Sequence, residues 1–172
     1  MPVRAGRVGA GGKPRAAVQK TLYMSPIGPL EVEGTEAGIL RVEFSDRRTM
    51  SEEPPAACLK ECLGQLDEYF QGTRRSFSVK LDLRGTPFQK RVWSELLKVP
   101  FGRTVSYRDI AAALDNPRAT RAVGGANHRN PVSIIVPCHR VVGANGSLTG
   151  YGGGLPRKEW LLAHEQKPRR TP

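Results

Sequence analysis

The chain has 172 residues, 27 Lys and Arg against 16 Asp and Glu, a formal net charge of +11 and three cysteines. That length suffices for one ordinary domain or two small ones with a real core, and no stretch approaches the roughly 20 apolar residues of a membrane-spanning helix. Three cysteines are too few, and odd in number, for a disulfide framework, which fits a reducing compartment.

The opening stretch, MPVRAGRVGAGGKPRAAVQK, lacks the apolar centre of a secretory signal. The expectation is an intracellular protein, cytoplasmic in a prokaryote and nuclear in a eukaryote, with no membrane partner. Residues 1–19 read as a flexible basic extension and residues 167–172 as a basic tail. The charge of the body is uneven. Residues 21–86 carry a net −3, residues 87–141 a net +6, and residues 142–166 balance. A basic segment inside a folded region points to a polyanionic partner more strongly than basic ends do.

From Thr21 to Phe44 apolar residues alternate, with the turn signals SPIGP and GTEAG between them, which predicts an antiparallel meander. The stretch SDRRTMSEEPP reads as a loop. Over 56–71, Cys58, Leu59, Cys62, Leu63, Leu66, Tyr69 and Phe70 recur at helical spacing up to Gly72. Phe77, Val79, Leu81 and Leu83 alternate as one more strand. Residues 20–84 therefore read as a small α+β domain with an acidic bias.

Residues 85–166 change character. Thr86-Pro87-Phe88-Gln89 is a capping box with proline at the first helical position, opening a helix to about Lys98 that buries Val92, Trp93, Leu96 and Leu97. Ser106 and Asp109 form a second box, opening a short helix with Ile110, Ala113 and Leu114 inward. After Asp115-Asn116, Pro117 starts another helix to about Asn127. Two short helices on a tight turn are a helix-turn-helix pattern, which alone is more often a packing unit than a DNA-binding one. The second helix holds Gly124-Gly125, each costing about 1 kcal/mol relative to alanine. Either another element packs closely there, or a bulky ligand approaches the bare backbone, with Arg118, Arg121 and Arg129 supplying charge.

Val132–Val136 reads as a buried strand, ended by Pro137. Cys138 follows. In isolation it is a buried, inert thiol or a nucleophile. No CxxC or HxxxH accompanies it, so a metal is not expected. If Cys138 opens a helical turn, backbone N–H groups would lower its pKa. His139 cannot face it at i+1, so a proton would pass through a water, with an acid elsewhere to orient the ring. Cys58 and Cys62 read as core residues.

The stretch PCHRV (137–141) resembles the active-site signature of the O6-alkylguanine-DNA alkyltransferases, or methylated-DNA–protein-cysteine methyltransferases. GTPFQKRVW (85–93), VSYRDIA (105–111), NPRATRAVGGA (116–126), NPVSIIVPCHRVVG (130–143) and GYGGGLPRKEWLLAHE (150–165) match that family in order and spacing. The resemblance is weak over the first half and specific from residue 85 on. It implies an RNase H-like N-terminal domain and a winged-helix-like C-terminal domain. It also implies direct-reversal repair without a cofactor: a monomer, with cooperative binding as a further option, binds duplex DNA through the minor groove and flips out an O6-alkylguanine. The alkyl group then moves irreversibly to Cys138, once per molecule. O4-alkylthymine is a second candidate substrate.

The roles that the resemblance implies attach to named positions. His139 deprotonates Cys138 through a water, Glu165 orients His139, and Asn130 holds the cysteine-bearing segment. Tyr107 donates to guanine N3. Arg121 replaces the extruded base, with Arg118, Ala122, Gly124 and Gly125 on the same DNA-facing helix. Tyr151, Gly152 and Gly153 wall the pocket. Gly152 stands where vertebrate-type members often have serine, which bears on adduct preference. With no histidine before His128, the structural zinc of some members is not expected. Cys138 separates the chain from alkyltransferase-like proteins that lack the cysteine. The competing readings are a non-catalytic helix-turn-helix regulator and a cysteine hydrolase pairing Cys138 with His128 or His164.

Overall fold

A computed structural model describes residues 17–47 and 54–167. Most of the expected N-terminal extension, the middle of the SDRRTMSEEPP loop and all but the first residue of the basic tail lie outside the described residues. The fold is α+β, as the sequence patterning implies.

Strands β1 (Gln19–Ser25), β2 (Gly28–Thr35) and β3 (Gly38–Phe44) form an antiparallel sheet in that order. Their alternation buries Leu22, Leu30, Val32 and Val42 on one face. Gly38 sits at φ 146°, and a Cβ there would lie 2.7 Å from the Lys80 carbonyl oxygen, so only glycine lets that chain approach. Helix α1 (Ala57–Gln71) lays Leu59, Cys62, Leu66 and Tyr69 into the core and ends at Gly72, whose left-handed backbone (φ 81°) turns its N–H back to the Glu68 and Tyr69 carbonyls.

The strand expected over 77–83 does not form. Only Leu81 bridges to Ile39: the Ile39 N–H donates to the Lys80 carbonyl at 2.8 Å and the Asp82 N–H to the Ile39 carbonyl at 2.9 Å. Upstream, the Gln65 side chain takes the place of a partner strand. Its Oε1 accepts the Ser78 N–H at 2.9 Å and its Nε2 donates to Ser78 Oγ at 2.8 Å. The same edge of β3 also receives residues 131–133, with Val42 N–H donating to Pro131 O (2.9 Å) and Ser133 N–H to Val42 O (2.8 Å). The N-terminal sheet thereby anchors the segment that leads to Cys138.

Both capping boxes are complete, opening α2 (Pro87–Leu97) and α3 (Tyr107–Ala113). Trp93 is buried and its indole N–H donates to the Ala126 carbonyl at 2.9 Å. Two inward assignments move by a residue or two. Leu97 is 47% exposed while Val99 is buried, because the helix ends and the chain turns there. Ala113 is exposed, and Ala111 joins Ile110 and Leu114 inside. The second helix of the helix-turn-helix starts late. Pro117–Ala119 is a tight 3₁₀ turn, closed by the Ala119 N–H on the Asn116 carbonyl at 2.9 Å, and α4 runs Thr120–His128. Strand β4 (Val105–Ser106) pairs in parallel with β5 (Val141–Val142), and α5 (Leu155–Gln166) closes the described chain.

Candidate active site

The expected strand over 132–136 is a buried turn. Val132 makes only its bridge to Val42, after which the Val136 N–H closes back on the Val132 carbonyl at 3.0 Å. Ile134 takes φ 73°, a conformation costly for a β-branched residue. The run is apolar because the turn is buried, not because it belongs to a sheet. The Asn130 side-chain amide braces it from both ends. Asn130 Nδ2 donates to the Val136 carbonyl at 2.8 Å, while Asn130 Oδ1 accepts the Val132 N–H at 3.0 Å.

Pro137, at φ −82° and ψ 62°, then makes an inverse γ-turn, with the Cys138 N–H on the Val136 carbonyl at 2.8 Å. Cys138–Arg140 is one 3₁₀ turn, and β5 ties its far end to β4 at the foot of the helix-turn-helix. The Asn127 amide donates to the Cys138 carbonyl at 3.4 Å. Cys138 is thus fixed from both sides and is 4% exposed. The sequence left the net direction of its pKa open, and this environment raises it. Burial pushes the thiol up, and the Asn130 side chain, the Lys158 ammonium and the N–H groups of residues 138 and 139 offset that only in part. The helical-turn amides do act in the expected direction; desolvation outweighs them.

His139 is fully buried, and its Nε2 lies 2.7 Å from Glu165 Oε1. That contact places the ring proton on Nε2 and leaves Nδ1 as a lone-pair acceptor. Among the described residues, the buried Nδ1 has no hydrogen-bond partner. Burial drives the imidazole pKa down against the opposing pull of Glu165, so the ring is neutral and can take a proton. Glu165 gathers four further hydrogen bonds. Arg140 donates from Nε to Oε2 (2.9 Å) and from Nη2 to Oε1 (3.0 Å), Tyr69 Oη donates to Oε1 (2.9 Å), and the Gly102 N–H donates to Oε2 (2.9 Å). Although burial raises it, the His139 hydrogen bond together with the hydrogen bonds and charge of Arg140 hold this carboxyl well below the ordinary carboxylate range.

A second layer surrounds the thiol. Lys158 is fully buried and, among the described residues, pairs with no carboxylate, donating to the Val141 carbonyl at 2.6 Å and the Thr149 carbonyl at 2.7 Å. Burial pushes its pKa down and Cys138 pulls it up. Thr149 O also accepts the Tyr107 hydroxyl at 3.2 Å. Tyr151 is buried edge-on to Phe44, with its hydroxyl unpaired. A Cβ on Gly153 would lie 2.6 Å from Phe44 and 2.7 Å from Tyr151, so this glycine permits the packing; at Gly152 the nearest atom would be 3.8 Å away. Arg157 stacks over Phe44 at 4.4 Å and donates to the Gly153 carbonyl at 3.0 Å.

On α4, Arg118 just before it, Arg121 and Ala122 are exposed. Gly124 and Gly125 have no tight neighbour: an added Cβ would meet Tyr107 at 4.0 Å and Arg129 at 3.5 Å. Close internal packing therefore does not account for them. His128 is exposed, and the His164 ring bonds the Tyr69 carbonyl at 2.7 Å and stacks on Trp160 at 4.9 Å, so neither is set up as a base for Cys138. The structure brings Cys138, His139, Glu165 and Asn130 together, His139 bonded to Glu165 and Asn130 bonded to the turn that carries Cys138, with Tyr107 and Tyr151 beside them and the α4 residues on a neighbouring surface. Reading the sequence missed Arg140, Lys158, Tyr69 and Asn127. Arg140 lay inside the quoted PCHRV motif and could have been flagged there; the others carry no local sign.

A preformed cysteine–histidine–glutamate cluster braced against a basic helix-turn-helix defines the class of site. Comparison with known proteins then gives the family. A model described as "6-O-methylguanine DNA methyltransferase, ribonuclease-like domain" matches residues 18–83, and one described as "6-O-methylguanine DNA methyltransferase, DNA binding domain" matches residues 87–167. A methylated-DNA–protein-cysteine methyltransferase of Methanosarcina acetivorans is 48% identical over 149 residues, covering 84% of this chain and 96% of the relative. The crystal structure of Mycobacterium tuberculosis O6-methylguanine methyltransferase superposes with a TM-score of 0.79 at 45% identity, over 87% of this chain and 93% of that one. That of Mycobacterium tuberculosis OGT in complex with DNA gives 0.77 at 46% identity, over 84% and 91%. The chain belongs to the 6-O-methylguanine DNA methyltransferase family. Among the described residues no helix is long and apolar enough to cross a membrane.

Proposed function

We propose that this chain repairs DNA by direct reversal, acting as a monomer that takes the alkyl group of O6-alkylguanine onto Cys138, with O4-alkylthymine as a second substrate. The observation that carries this reading is the unpaired, buried Nδ1 of His139, next in sequence to Cys138 and backed through Nε2 by Glu165. A thiol whose pKa is raised by burial needs a base at the moment of reaction, and a neutral imidazole with a free lone pair supplies one.

The thiol proton passes through a water to His139 Nδ1, and Glu165 stabilises the imidazolium. Cys138 Sγ attacks the alkyl carbon in line. The S–C bond forms as the C–O6 bond breaks, and the electron pair leaves on guanine O6. Tyr107, on the first turn of α3, donates to N3 as that charge spreads through the base, which then regains one proton. The Lys158 ammonium favours the transient thiolate. The thioether has no base or nucleophile to reverse it, so each molecule acts once. Asn130 keeps the cysteine turn rigid against α4. Arg121 enters the duplex from the minor groove in place of the flipped base, with Arg118 and Ala122 along the same face and Gly124-Gly125 allowing close approach. Tyr151, Gly152 and Gly153 wall the base pocket, and the domains divide near residue 85.

The test is intact-protein mass after incubation with duplex DNA bearing O6-methylguanine. The expected result is a gain of one methyl group per molecule, abolished in Cys138→Ser. Binding without covalent gain would favour a regulator, and turnover beyond one equivalent a hydrolase; either overturns the reading.

A further inference from the structure

The carboxylate that supports His139 does not belong to the C-terminal domain alone. Tyr69, near the end of α1 in the N-terminal domain, is fully buried and donates its hydroxyl to Glu165 Oε1 at 2.9 Å. This is the oxygen that pairs with His139 Nε2 at 2.7 Å and with Arg140 Nη2 at 3.0 Å. The ring is held from several sides. Phe70, Phe77, Phe101 and His164 pack around it at centroid distances of 5.3–6.2 Å, and its own carbonyl bonds to His164 at 2.7 Å. Ninety-six residues separate Tyr69 from Glu165 in sequence.

We infer that Tyr69 is a positioning residue for the reaction: the N-terminal domain uses its hydroxyl to fix Glu165 and to limit how strongly that carboxylate pulls on His139. This inference rests on the reading of His139 as the base for Cys138. The chemistry is competition for one oxygen. Oε1 accepts from Tyr69, Arg140 and His139 at once, and each donor draws charge away from the others. With the Tyr69 hydroxyl removed, more of the carboxylate's charge is available to His139, and the imidazolium form gains. The groups facing this pair are Arg140 and Gly102 N–H on Glu165, Lys158 and Arg140 acting on His139, and the neutral Cys138 next in chain. Burial holds the Tyr69 hydroxyl far above its ordinary range, with Glu165 adding to the effect, so it is a fixed donor across the working pH range. A base that protonates too readily is already occupied when the thiol must release its proton. By tempering Glu165, Tyr69 keeps His139 empty until it is needed.

The test uses the full chain, wild type and Tyr69→Phe, with free O6-benzylguanine as alkyl donor so that DNA binding plays no part. The rate of transfer is measured across pH. In the variant the acid limb moves to higher pH, lowering the rate on that limb about threefold, the effect of a half-unit displacement, while the alkaline plateau stays within about twofold. A packing role alone would scale the whole profile down and leave the limb in place, and that result overturns the inference. NMR titration of His139, its signal identified by loss in His139→Asn, gives an independent readout. Its midpoint rises in Tyr69→Phe if the inference holds and stays put if it does not. This titration decides even if wild type takes no alkyl group, an outcome that would instead remove the proposed function.

Discussion

Replacing Glu165 by glutamine keeps the shape of the side chain and removes its charge. In the folded protein Arg140, 6% exposed, would lose its buried carboxylate partner while keeping one further hydrogen bond, from Nη1 to the Val99 carbonyl at 2.7 Å. Breaking a buried ion pair by removing one partner typically costs about 3–5 kcal/mol, because the remaining charge stays desolvated. Against a total stability of about 5–15 kcal/mol, Glu165→Gln should still fold but unfold at clearly lower urea. The loss also has a sign in pH. The folded Glu165 carboxyl is held well below its ordinary range by His139 and Arg140, so its stabilisation is complete above an unfolded pKa near 4.3 and fades as pH falls toward the folded value. The gap between wild type and Glu165→Gln should therefore be full at pH 7 and narrow below about pH 4. Transfer from free O6-benzylguanine should slow by about 10²-fold, as for loss of support to a general base. Urea melts at several pH values and a single-turnover rate check both effects. A gap below about 1 kcal/mol at pH 7, or one that stays constant down to pH 3, would refute the reasoning.

Two other expectations concern different parts of the site. Lys158→Met removes a buried ammonium that draws the Cys138 thiol down, so alkylation of Cys138 by a small haloacetamide should need higher pH, read by peptide mass; an unchanged midpoint would remove Lys158 from the thiolate's surroundings. Gly124→Ala and Gly125→Ala meet no close neighbour and should each leave the free protein unchanged or up to about 1 kcal/mol more stable, yet weaken duplex binding in a fluorescence titration. Stabilised variants that bind duplex as tightly as wild type would remove these glycines from the DNA-facing surface.

How much of this was legible in the sequence depends on how far apart the interacting groups lie. The capping boxes at Thr86 and Ser106 and the stop at Gly72 each close within four residues, so residue type and spacing report them directly. The segments 77–83 and 132–136 looked like strands because burial makes a chain apolar whether or not it has a ladder to join. The first is held by Gln65 from α1 and the second folds into a turn around Asn130, and neither partner shows in an alternation of side chains. Val99 replacing Leu97 and Ala111 replacing Ala113 are errors of phase at helix ends, where a short pattern leaves the buried face poorly determined.

The site followed the same rule more severely. Cys138, His139 and Asn130 sit in one contiguous stretch, and the family resemblance brought in Glu165 from a distance. Arg140 and Lys158 drew no reading of their own, and Tyr69 read only as one apolar position of a helix. Yet a buried charge must be neutralised or bonded, and that requirement is what links them. Glu165 requires Arg140 as much as it serves His139, since a fully desolvated carboxylate facing only a neutral imidazole would take up a proton and lose its hold on the ring. Lys158 is the converse: among the described residues this buried cation bonds only carbonyls, and the Cys138 thiol is the group whose charge acts on it. The groups that meet these demands lie far apart in sequence, Lys158 20 positions from Cys138 and Tyr69 96 from Glu165, so folding alone brings them together.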